Sequence, residues 1–254
     1  MELKEKILFI QTLQLQLNAF NRDVARNKGY YAYPPTGLQW LVKSLEATDL
    51  DVSILDLNYE FLRRIIEDDT FSPNDWLSIV DEWLDKIQPS VVGVSCIGVS
   101  TNLWGDNHPL TGVLRHVKKK NNCIIIAGGP IATNEYKDCL NHDLCHFVVA
   151  NEGENKTNYL LRSLYGYLSD EKPVSGIYFV NGKGFGKIKG SPDVIQLKGN
   201  IVSTYSSLPI EKYNSVGSLN PFSRMAGQDK HFSGIQLNRG CRAKASIYFI
   251  RSFP

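Results

Sequence analysis

Paired cysteines, a glycine-rich first turn and long apolar runs are all missing from this chain. None of the five cysteines (Cys96, Cys123, Cys139, Cys145 and Cys241) stands in a C-x2-C pair, and their number is odd. A disulfide framework is not expected, and a reducing cytoplasm is the natural compartment. No apolar run reaches membrane-spanning length. Met1–Lys6 leads straight into a short strand without the layout of a signal peptide. Net charge is only +2, which excludes a strong field for nucleic acid or a membrane surface. The basic run Lys118-Lys119-Lys120 falls at a predicted helix end, where cations complement the helix dipole.

The 254 residues, 43% hydrophobic and 21% charged, suffice to bury a sizeable core. Short apolar runs at Lys6–Gln11, Asp51–Leu57, Pro89–Ser95, Cys123–Ala127 and Phe147–Ala150 read as strands. Between them lie helical patterns: one opened by Pro35-Thr36-Gly37-Leu38, one or two over 58–88, then Leu110–Lys119, Asn134–Leu140 and a last one through Leu164. Trp76 and Trp83 share a helix face and are expected in the core. Continuous apolar strands alternating with helices predict a doubly wound α/β domain with a five-stranded parallel sheet. Thr12–Pro34, rich in aromatics, is too long for an ordinary strand-to-helix loop. Asn181-Gly182-Lys183-Gly184 marks a hairpin, and 190–232 reads as an irregular linker that wraps against its neighbour.

Ligands of such sheets bind beyond the carboxyl ends of the strands. The segment after the first strand, Thr12-Leu-Gln-Leu-Gln-Leu-Asn18, has no glycine for a dinucleotide pyrophosphate and no Ser/Thr/Gly-rich phosphate turn. Ser95-Cys96-Ile97 offers no carboxylate for a phosphoacceptor. What is present instead is an ordered set of strand-end features. They are Tyr33-Pro34-Pro35-Thr36-Gly37-Leu38, Ser95 followed by Ser100-Thr101, Gly128-Gly129-Pro130, and Glu152-Gly153-Glu154. Taken singly, Gly128-Gly129 is a strand-to-helix turn, Ser95 a buried hydroxyl, and the two glutamates are acids favoured at a helix N-terminus.

Together this pattern resembles the cobalamin-binding domains that precede a radical SAM barrel. The resemblance implies a flavodoxin-like, Rossmann-like fold over 1–168, a hairpin and linker over 169–232, and the start of a radical SAM domain over 233–254. It implies cobalamin contacts from Thr12, Pro35, Thr36, Gly37, Ser95, Thr101, Gly128, Gly129, Pro130, Glu152, Gly153 and Glu154. The glycines give clearance for the macrocycle, and the hydroxyls give hydrogen bonds to the nucleotide tail. Many relatives supply a cobalt-ligating histidine from the first loop. Here that loop has none, since the histidines are His108, His116, His142, His146 and His231. Bound cobalamin is therefore expected base-off.

Gln236–Pro254 resembles the radical SAM cluster loop, C-x3-C-x2-C. Cys241 occupies the first position, but Ala245 and Tyr248 occupy the others. In the family a [4Fe-4S] cluster needs three thiolates and leaves one iron open for SAM. By this resemblance Cys241 is a relic cluster ligand, its plain reading in this chain is a free thiol, and neither cluster nor SAM is expected here. The expectation is the cobalamin-binding portion of a methyltransferase-like enzyme, inactive as it stands and without its barrel. A corrinoid carrier or sensor, or another small-ligand α/β domain, are the alternatives. The expected partner is a corrinoid, with no nucleic acid and no membrane, and the sequence names neither substrate nor oligomeric state.

Overall fold

The computed structural model describes residues 5–97, 108–168, 172–182, 184–192 and 202–218. β1 (Lys6–Gln11), β2 (Asp51–Asp56), β3 (Val91–Ser95), β4 (Ile124–Gly128) and β5 (Phe147–Val149) form a parallel sheet in the order β2-β1-β3-β4-β5. The hairpin β6 (Ile177–Asn181) and β7 (Gly184–Lys187) does not stand apart. β6 pairs antiparallel with β5 and makes the sheet seven-stranded. The fold class expected from the sequence is the one observed, extended by these two strands.

Side-chain alternation along the strands feeds two cores. Ile7, Phe9, Ile126 and Val149 meet Leu38 and Leu45 of α2 (Thr36–Leu45) and Leu160 and Leu161 of α8 (Glu154–Leu164). Leu8, Ile10, Val92, Val94, Ile125 and Val148 face the opposite layer. That layer holds α3 (Leu57–Glu67), α4 (Ser78–Ile87), α5 (Pro109–Lys120), and the short pair α6 (Gly129–Asn134) and α7 (Tyr136–Asn141). Each fully buried Leu or Ile here contributes ~1.5–3 kcal/mol. Trp76 is buried in this core and Trp83 packs against it, as their spacing predicts. Lys118–Lys120 do close α5.

The first crossover helix and the last share one face, and the others share the second. The strand order reverses between β1 and β3, which is therefore the switch point. Two details depart from expectation. The single helix over Asn134–Leu140 is two helices, because Glu135 is non-helical (φ −106°, ψ 29°) and α6 starts directly at Gly129, with Pro130 in its first turn. The segment after β1 carries structure of its own, a 3-10 turn at Leu17–Ala19 and α1 (Arg22–Arg26), capped by the Asn21 side chain on the Asp23 and Val24 amides. Residues 202–218 wrap back onto the domain through short 3-10 turns and α9 (Tyr213–Val216), burying Tyr213. Among the described residues no helix is long and apolar enough to cross a membrane.

Candidate functional site at the carboxyl edge of the sheet

The register aligns the strand ends in one row: Asp56, Gln11, Ser95, Gly128 and Val149 are successive partners across β2, β1, β3, β4 and β5. The backbone amide of Thr12 donates to the Ser95 carbonyl at 3.0 Å, and the Gln11 side chain donates to the same oxygen at 3.2 Å. These bonds close the crevice floor between β1 and β3. The Thr12 side chain is fully buried, and its hydroxyl has no partner among the described residues.

The adjacent glycines have different reasons. Among the described residues, a Cβ on Gly128 would touch only the Val149 carbonyl, at 3.7 Å, so none of them fills the space above it. Gly129 has φ +86°, and a Cβ there would come to 3.0 Å from both the Cys96 carbonyl and Ser95 Oγ. Its lack of a side chain lets β3 and α6 approach each other. Gly153 serves packing, since a Cβ would sit 3.0 Å from Leu41 Cδ2 on α2. Gly37, in the first turn of α2, is exposed, with nothing among the described residues within 4 Å of a Cβ position. Pro35 is the residue before α2, and the Thr36 hydroxyl turns back to the Pro34 carbonyl at 3.3 Å. Pro130 is exposed, Glu152 is exposed, and Glu154 is buried in the first turn of α8. Structure thus brings the sequence-predicted residues to one edge. Thr101 and Cys241, with Ala245 and Tyr248, lie outside the described residues.

Several shaping residues were not anticipated. The Lys156 ammonium is buried and donates to the carbonyls of Ala150 (2.9 Å) and Glu152 (2.7 Å), bracing the loop after β5. Thr133 Oγ1 accepts the Asn151 amide from the other side, where Asn151 adopts φ +59°. A lysine in the first turn of a helix opposes the dipole, and that was the available signal. Asn58 pins the long loop twice, accepting from the Gln14 amide (3.0 Å) and donating to the Tyr31 carbonyl (3.2 Å). Ser218 pairs with the same loop through the Tyr30 carbonyl and the Ala32 amide. Beside it, Asp56 caps α3 at the Tyr59 amide and accepts the Tyr213 hydroxyl at 2.6 Å. Burial raises the Asp56 carboxyl to about 6, against these hydrogen bonds, which lower it. Burial also pushes the Tyr213 phenol upward.

The described histidines serve elsewhere. His108 Nδ1 accepts the Leu110 amide at the start of α5, His116 meets Asp81 at 2.6 Å, His146 Nδ1 accepts the Ile125 amide, and His142 follows α7. Burial lowers the His146 imidazole. Cys96, Cys123, Cys139 and Cys145 are buried free thiols, and burial raises Cys123 and Cys139 to about 11. Among the described residues no three His, Cys, Asp or Glu side chains are grouped to hold a metal ion.

A family model, the B12 binding domain, matches residues 22–160, more than half of the chain. The chain belongs to the B12-binding domain family. The matched span contains every sequence-predicted site residue except Thr12 and Cys241. Membership supports cobalamin binding by this domain. Among solved structures, the chain is similar to the radical S-adenosylmethionine methyltransferase TsrM from Kitasatospora setae with cobalamin and [4Fe-4S] cluster bound. The TM-score is 0.50 at 18% identity, over 76% of this chain and 30% of that one. It is also similar to the cobalamin-dependent S-adenosylmethionine radical enzyme OxsB with aqua-cobalamin bound, with a TM-score of 0.50 at 15% identity, over 75% of this chain and 22% of that one. At these identities the likeness concerns the fold, and the chain spans less than a third of either protein. No curated protein matches the chain.

Proposed function

We propose that this chain is the cobalamin-binding part of a B12-dependent radical SAM enzyme of methyltransferase type. One observation carries the reading. The row Gln11–Ser95–Gly128–Val149 crosses the switch-point edge with space over Gly128 that no described residue fills, in a chain of the B12-binding family. The residues present fit the group. A flat macrocycle needs an unobstructed strand end, which Gly128 leaves, and a slender polar tail needs buried hydrogen-bonding groups, which Thr12 provides.

Thr12, Ser95, Gly128, Gly129 and Pro130 would hold the cofactor at the centre of the edge, with Thr101 added from the sequence. Pro35, Thr36 and Gly37 would flank it on one side. The Glu152–Glu154 loop, held in shape by Lys156, would flank it on the other. When bound, cobalamin supplies a cobalt centre that accepts and passes on a methyl group. The first loop contains no histidine, and His108, His116 and His146 are each engaged elsewhere. This supports base-off binding. Cys241 with Ala245 and Tyr248 supplies one thiolate where a cluster with an open iron needs three. In this reading the chain does not hold that cluster by itself. Residues 1–168 then form the binding domain, 169–232 the hairpin and linker, and 233–254 the start of a radical SAM domain.

The test is direct. Purified protein is incubated with hydroxocobalamin and desalted, and its visible spectrum is recorded. Stoichiometric retained corrinoid with a base-off spectrum is expected. A colourless protein contradicts the reading.

A further inference from the structure

We propose that Gln39 is a ligand-contacting residue whose buried side-chain amide donates to an oxygen acceptor of the corrinoid at the start of α2. The inference rests on the cobalamin reading and adds a residue to it. α2 begins at the carboxyl edge of the sheet without a side-chain cap, since its preceding residue is Pro35. The Thr36 and Gln39 backbone amides are taken by the Pro34 and Pro35 carbonyls, at 2.8 and 3.0 Å, and the dipole concentrates positive potential at this end. Gly37 in the same turn is exposed, so this end of α2 reaches the surface of the domain.

Gln39 is the independent observation. It lies in that first turn, is 1% exposed, and its amide nitrogen makes no hydrogen bond among the described residues. The β1–α2 connection repeats the pattern at its other end. Thr12 Oγ1 and Gln14 Nε2 are also buried and unpartnered among the described residues. Native interiors rarely keep an unpaired donor, because its lost hydration is not replaced. Three such groups on one connection, at the edge where a ligand binds, point to acceptors that the ligand brings. In a corrinoid these are the amide carbonyls on the ring rim or the phosphate oxygens of the nucleotide tail.

The experiment compares the full chain with Gln39→Met, which keeps length and bulk but removes the donor. Hydroxocobalamin and cobinamide, which lacks the nucleotide tail, are titrated into both proteins, and the unliganded proteins are melted. The variant is expected to bind hydroxocobalamin about tenfold more weakly, the scale of one hydrogen bond, while its unliganded midpoint stays level or rises. A loss seen with hydroxocobalamin alone assigns the contact to the tail, and an equal loss with cobinamide assigns it to the ring rim. Unchanged affinity in the variant overturns the inference while leaving the cobalamin reading standing. So does a clear fall in the unliganded midpoint, which would reveal a protein partner for Gln39. Failure of the unmodified chain to bind hydroxocobalamin overturns both.

Discussion

At Gly129 the backbone holds φ +86°, and any Cβ would press on Cys96 and Ser95. One residue earlier, Gly128 is extended and its Cβ position is nearly free among the described residues. The two substitutions to alanine should therefore separate. Gly129→Ala should cost about 1–3 kcal/mol from left-handed strain and crowding. Gly128→Ala should change stability by about 0.5 kcal/mol or less, as substitutions away from tight contacts do. Urea unfolding of both variants checks this, and equal losses would mean that Gly128 is also a packing glycine. Identity and position of both glycines were legible in the sequence. Their different roles were not, because they depend on how closely neighbouring strands approach. Asn58 and Gln39 gave no signal, since each reads as an ordinary polar residue of a helix; Asn58 acquires its role from partners far away in the chain, and the burial of Gln39 is set by packing rather than by any local pattern.

At the scale of elements, the loop after β5 is shaped by two side chains, Lys156 from its own helix and Thr133 from α6. Lys156→Met removes the donor that serves both the Ala150 and Glu152 carbonyls. The expected cost is about 1–3 kcal/mol, accompanied by weaker corrinoid retention because the flanking loop loses its shape. Denaturant unfolding together with desalting after hydroxocobalamin loading measures both effects. Unchanged values in both would remove Lys156 from the account. The five parallel strands were legible because each is a short apolar run buried on two faces. The loop between β1 and α2 was legible only as unusually long. Its path is held by Asn58 and by Ser218, contacts that leave no local pattern. The hairpin was legible from its turn residues, but its pairing with β5 was not, because register across distant segments is not written in either strand.

For the whole molecule, Asp56 couples the end of β2 to Tyr213 of the returning segment. Its carboxyl is raised to about 6 from 3.8. The folded state therefore holds the proton more tightly than the unfolded state. The stabilisation is fully present below pH ~4 and is lost as pH rises through about 6. Asp56→Asn keeps an acceptor for Tyr213 and abolishes this titration. Relative to the variant, the native protein should lose up to about 3 kcal/mol between about pH 4 and 7, because each tenfold difference in proton affinity between the two states is worth about 1.4 kcal/mol. A pH-independent difference in unfolding free energy would contradict that assignment.

The central claim is that the open strand end over Gly128 is a corrinoid site. Gly128→Trp puts a large side chain at a position where a Cβ meets only the Val149 carbonyl among the described residues. The deciding measurement is a titration of hydroxocobalamin into the native protein and Gly128→Trp, read by visible absorption after desalting, with circular dichroism to show that both are folded. The account predicts stoichiometric retention by the native protein and none by the folded variant. Equal retention by both would place the corrinoid elsewhere and contradict the claim.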